Sequence, residues 1–98
     1  MRKARTDANQ KEIVAALRKI GASVAVTSNQ HTGFPDIVVG FRGKNYLIEI
    51  KDGSKVQSQQ KLTEAQVDFH SLWRGQIAVC NSVEQAIKAL SPKSEQRP

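Results

Sequence analysis

Asp36, Glu49 and Lys51 are the residues of this chain whose types and spacing could carry chemistry. Glu49 and Lys51 lie in the run Tyr46-Leu47-Ile48-Glu49-Ile50-Lys51, which otherwise reads as a buried strand. Residues two apart on a strand point to the same face, so a carboxylate and an ammonium emerge together from an apolar sheet. A charge buried without a partner is costly, and a carboxylate so placed pairs with a cation or binds a metal. Asp36 opens the preceding apolar run, and the intervening Arg42-Gly43-Lys44-Asn45 has the composition of a hairpin turn. Folding the hairpin about Gly43-Lys44 sets Asp36 opposite residue 50 or 51 and so brings the first acid to the second. Two carboxylates forced together repel, and a divalent cation relieves the repulsion. Oxygen ligands with open water positions suit magnesium or manganese, and the backbone carbonyl of Ile50 is a further ligand. An ammonium at such a site, that of Lys51, can orient the attacking water or neutralise charge developing on a phosphate. Acid, acid and lysine around one metal form a device for hydrolysing phosphodiesters. The plainer reading makes Glu49 and Lys51 a solvated pair on an exposed sheet face, and it fits poorly with Leu47 on their side.

The elements that must position these groups follow from hydrophobic periodicity. Ile13, Leu17 and Ile20, widened by Val14, predict a helix from Asp7 to Ile20, capped by Thr6 or Asp7 and ended by Gly21. Strands are predicted at 23–28, 36–41 and 46–51, with a loop at 29–35 holding His31, Gly33 and Pro35. A polar loop runs to Gln60, and a second helix spans about 63–73, where Thr63-Glu64-Ala65-Gln66 reads as a capping box. Gly75 stops that helix, a strand follows at 76–80 and a third helix at 82–90. Residues 1–6 are expected to form a mobile basic arm and 91–98 a disordered tail. The order α-β-β-β-α-β-α is an α/β fold with a mixed central sheet flanked by helices, and the last strand is expected parallel to the Tyr46 strand. The whole, 1–98, reads as one domain.

Fifteen Lys and Arg against nine Asp and Glu give a formal charge of +6. A small, strongly basic domain suits a polyanion, nucleic acid first. Cys80, the single cysteine, lies in an apolar run and reads as a buried small hydrophobe. His31 and His70 lack the paired spacing of a zinc site. No apolar stretch approaches membrane-spanning length and no signal segment follows Met1, so an intracellular protein with no membrane partner is expected. On residues alone, Glu12 at the edge of the apolar stripe of the first helix is an ordinary exposed acid, and Gln66 needs only its capping role.

Asp36 with Glu49-Ile50-Lys51, preceded by Pro35, resembles the PD-(D/E)xK phosphodiesterase superfamily. More narrowly, Gly33-Phe34-Pro35-Asp36, Glu49-Ile50-Lys51 and Leu62-Thr63-Glu64-Ala65-Gln66 with Phe69 look like the virus-type replication-repair nuclease (VRR-NUC) domain, over nearly the whole chain from Glu12 to about Leu90. The resemblance implies a restriction-endonuclease-like core and a homodimer cutting branched, Holliday-junction-like DNA with Mg2+ or Mn2+. It implies the cytoplasm of a bacterium or a phage-infected cell, and it adds Glu12 to the metal site and Gln66 to the catalytic centre. The catalytic set is then Asp36, Glu49, Lys51, Glu12 and Gln66, with Asp36, Glu49, Ile50 and Glu12 as metal ligands. Arg2, Lys3, Arg5, Gly33, Lys44, Lys55 and Lys61 are the expected nucleic-acid contacts. Two rivals stay open: a non-catalytic basic DNA-binding module, and a sequence-specific restriction-type endonuclease.

Overall fold

The computed structural model describes residues 4–28, 33–55 and 61–91, with side chains from Ala8 onward. Within them the order is α1 (Ala4–Lys19), β1 (Ser23–Val26), β2 (Ile37–Phe41), β3 (Lys44–Ile50), α2 (Glu64–Leu72), β4 (Gln76–Cys80) and α3 (Val83–Ala89). The four strands form one sheet in sequence order. β1–β2 and β2–β3 pair antiparallel, and β3–β4 pair parallel across α2, which makes the sheet mixed as the sequence predicts.

Alternation along the strands divides the sheet into two faces. Ile37, Val39, Tyr46, Ile48 and Ile50 bury themselves with Ile13, Val14 and Leu17 of α1 and with Ala86 and Leu90 at α3. Cys80 joins this core as a buried free thiol whose pKa burial pushes up to about 11, an inert hydrophobe as expected. Leu47 and Glu49 point to the other face and are also buried. There the cover is α2, a helix with no fully buried residue of its own.

Several boundaries move. The helix begins at Ala4, so the basic arm is shorter than 1–6: Arg2 and Lys3 lie outside the described residues, and Arg5 lies on α1. Thr6 and Asp7, expected to cap the helix, lie inside it instead, because it starts at Ala4; the tail beyond Ser91 falls outside the described residues. Ile20 lies past the end of α1 and is exposed, leaving the stripe to Ile13, Val14 and Leu17. The hairpin turns on Arg42-Gly43, both at positive φ (53° and 80°), the conformation that a two-residue loop requires. Phe41 therefore pairs with Lys44 and Ile37 with Ile48, which sets Asp36 level with Glu49 itself and not with residue 50 or 51. α2 ends at Leu72 with an extended Trp73 cap, before Gly75 is reached.

The segment leading to Asp36 is pinned on both sides. Thr27 donates its amide to the Asp36 carbonyl (2.7 Å) and its hydroxyl to the Pro35 carbonyl (2.9 Å). Gly33 adopts φ +85° and lies so close to α2 that a Cβ would stand 2.7 Å from the Ala65 carbonyl oxygen. Gly33→Ala is expected to destabilise the fold by about 2–4 kcal/mol, combining backbone strain with that collision. Gly21→Ala, at φ +102° with open space around it, carries the strain alone and should cost about 1 kcal/mol. Equal losses in denaturant unfolding of the two variants would refute the packing role of Gly33.

Candidate active site

Glu49 is the one charged side chain buried among the described residues, 3% exposed. Its Oε2 accepts a hydrogen bond from Gln66 Nε2 at 2.9 Å and lies 3.8 Å from Lys51 Nζ. Its Oε1 is buried with no hydrogen-bond partner among the described residues. The group beside it is the Asp36 carboxyl, near enough to share a proton. Burial first, then the charge and proximity of Asp36, push the Glu49 pKa up from 4.5 to about 8, against the opposing pull of Lys51 and Gln66. One Asp36 oxygen, Oδ2, accepts from the Ile50 amide at 2.8 Å. Ile50, predicted to offer its carbonyl, is thus tied to the centre through its N–H.

Gln66 connects three parts of this arrangement. It is the third residue after the Thr63 cap, and the capping box forms: Gln66 N donates to Thr63 Oγ1 (3.2 Å) and Thr63 N to Gln66 Oε1 (2.9 Å). The same Oε1 also accepts from Lys51 Nζ at 3.0 Å, while the amide nitrogen serves Glu49. An amide is suited to this place because it presents an acceptor to the ammonium and a donor to the carboxylate at once. Lys51 lies just past β3, where its amide continues the ladder to the Cys80 carbonyl at 2.9 Å. Its side chain therefore keeps the face of Glu49.

The other predicted residues are placed less centrally. Glu12 is exposed on α1 beside a shallow cleft with Asn9, Asp52 and Asn81. No trio of His, Cys, Asp or Glu side chains among the described residues is gathered around one point. Lys44 opens β3 at the end remote from Glu49, roughly 16 Å along the strand, and lines a separate cleft of about 560 Å3 with Arg42, Tyr46 and Gln76. Lys55 and Lys61 are exposed on the two sides of the segment that is not described. Gly33, expected to admit a phosphate, lies close against α2 at Ala65. His31 falls outside the described residues.

Two residues of the site have no strong signal in the sequence. Asn9 donates to the carbonyls of Lys51 (2.8 Å) and Asn81 (3.1 Å), fastening α1 to the ends of β3 and β4 beneath the centre. A mid-helix asparagine, a poor helix former, was the available hint. His70, one turn beyond Gln66, buries Nε2 without a hydrogen-bond partner among the described residues. Desolvation and then the Lys51 charge lower its pKa.

A divalent cation fits the residues present. Asp36 and Glu49 converge, one buried carboxylate oxygen has no hydrogen-bond partner among the described residues, and the donor set is the oxygen-only kind that magnesium and manganese prefer.

No protein-family model matches the chain, and no curated protein matches it. Among solved structures the chain is similar to one described as a VRR_NUC domain, with a TM-score of 0.67 and 23% identity, over 86% of this chain and 91% of that one. The chain has the VRR_NUC fold. The likeness spans nearly the whole of that structure.

The raised Glu49 pKa has a consequence for stability. Folded, this group holds its proton up to about pH 8; unfolded, it releases it near 4.5. The folded state thus binds the extra proton between those values, and the contribution is complete below 4.5 and lost as the pH rises through 8. The melting temperature of the metal-free protein should fall from pH 5 to pH 8.5, and Glu49→Gln should flatten most of that decline. An unchanged slope in the variant would place the titration elsewhere.

Proposed function

We propose that this protein is a VRR-NUC nuclease that hydrolyses phosphodiester bonds in DNA with magnesium or manganese. The observation that carries the reading is the buried Glu49 carboxylate beside Asp36, with one oxygen lacking a hydrogen-bond partner among the described residues and the other held by Gln66, which also holds Lys51. A carboxylate pair in a sheet interior is unfavourable for stability alone, and its expense is explained if the pair holds a cation against a phosphate. The likeness to a VRR_NUC domain and the charge of +6 support the same reading.

Asp36 and Glu49 would hold the ion, with the Ile50 carbonyl beside them, and Glu12 would join them directly or through water. The ion supplies Lewis-acid charge to the phosphate and to the attacking water. Glu49 must be ionised to bind it, and Gln66 Nε2 stabilises the ionised form. Lys51 Nζ, held by Gln66 Oε1, stands where it can orient the water or neutralise charge growing on the phosphate oxygens. Water adds through its oxygen to phosphorus and gives up a proton, while the P–O bond to the leaving sugar breaks and that oxygen is protonated. Basic groups around the centre fix the DNA by its backbone without reading sequence, which fits selectivity for branched DNA shapes.

The test is cleavage of labelled duplex, flap and four-way-junction DNA with each metal. Lys51→Ala should lower the rate about 10²–10³-fold yet still bind manganese by calorimetry. Asp36→Asn and Glu49→Gln should lose both binding and cleavage. Manganese binding unaffected by either acid substitution would refute the assignment, and equal cutting of plain duplex at one short sequence would refute the preference for branched DNA.

A further inference from the structure

Three aromatic rings lead away from the proposed centre. Phe34, two residues before Asp36, meets Phe69 edge to face with centroids 5.2 Å apart and planes at 73°. Phe69, one turn after Gln66, stacks on Trp73 at 5.4 Å and 15°. Trp73 ends the series 42% exposed. Its indole is held in place from behind by Phe69. Its edge lies over Gly75, where a Cβ would stand 2.8 Å from Nε1. The backbone is fixed too: Trp73 caps α2, donating its amide to the Phe69 carbonyl at 3.1 Å. A large apolar ring is thus immobilised at the surface while covering none of the core.

Resting on the nuclease reading, we propose that Trp73 is a stacking platform for an unpaired base of the DNA substrate. The helical rise puts Trp73 about 10 Å along α2 from Gln66, roughly three nucleotide steps at the 3.4 Å spacing of one strand. Exposed cations stand at both ends of this path, Lys61 ahead of α2 and Arg74 beside the ring, while Glu64 and Asp68 are the acids on the helix. A strand whose phosphate lies at Asp36 and Glu49 can follow that path and lay a base on the indole. Bases in an intact duplex already have both faces covered by their neighbours. An aromatic platform therefore selects DNA with unpaired nucleotides a few steps from the cut, such as a flap, fork or overhang. The order of the rings, beginning at the acid loop and ending in the open, favours this occupant over a second copy of the chain seated on Val67, Leu72 and Trp73.

Trp73 is the only tryptophan in the chain, so its own emission reports the contact. The protein is titrated with oligothymidylate and with blunt duplex in EDTA, so that nothing is cut, and affinities are read by anisotropy of a labelled overhang. Quenching by the single strand but not by blunt duplex is expected. Binding of the overhang should weaken about tenfold to a hundredfold in Trp73→Ala and be largely retained in Trp73→Phe, which also controls for folding. A bound single strand that leaves the emission unchanged overturns the proposal, as does failure to bind any DNA. Emission that shifts with protein concentration alone, together with a sedimenting dimer abolished by Trp73→Ala, assigns the face to a second copy and also overturns it. Cleavage with magnesium or manganese is scored separately on the same DNAs. Quenching without cleavage would leave the platform standing and the nuclease reading refuted; cleavage without quenching would do the reverse.

Discussion

An ionisable carboxylate inside a sheet is the constraint around which this small protein is organised. Glu49 is buried beside Asp36, and burial and the neighbouring charge both disfavour its ionised form. The surrounding structure only partly offsets this. Gln66 satisfies one oxygen, Lys51 stands 3.8 Å from it, and the second oxygen has no hydrogen-bond partner among the described residues. The core on the opposite face could be built equally well without these groups, since Ile37, Ile48 and Ile50 pack there against α1 and α3.

The two faces therefore have different tasks. One is closed by α1 and α3 and supplies the stability; the other is roofed by α2, whose residues are at most half-buried. α2 is anchored at its beginning by polar groups more than by apolar contact. Its capping box, the Gly33 loop and the Gln66 amide all meet within its first turn. One glutamine thus holds the helix start, the lysine and the acid in a single geometry, so helix placement and site geometry are one constraint.

Much of this was legible in the sequence, and the reasons differ by residue. The side shared by Leu47, Glu49 and Lys51 followed from strand alternation, which leaves no freedom once the run is a strand. The capping box was readable because its partners are local. The register was not: an arginine at φ 53° in the turn carries no sequence signal, whereas Lys44 and Asn45 look like turn residues and instead pair within the sheet. Glu12 shows the limit of helical spacing, which places a residue at the edge of a stripe but cannot give its reach across to another element; its place among the site residues comes from the family resemblance. Gly33 and Gly75 read as turn and stop signals, yet each serves a close approach, of Ala65 and of the Trp73 ring, that depends on tertiary packing. Asn9 is hidden for the same reason, since its partners lie far along the chain.

The most direct measurement is a crystal structure of the protein grown with manganese, with anomalous differences recorded at the manganese edge. The account predicts one strong peak between the Asp36 and Glu49 carboxylates, within bonding distance of Glu49 Oε1. A map without that peak, with Lys51 closed directly onto Glu49 and the two acids parted, would contradict it.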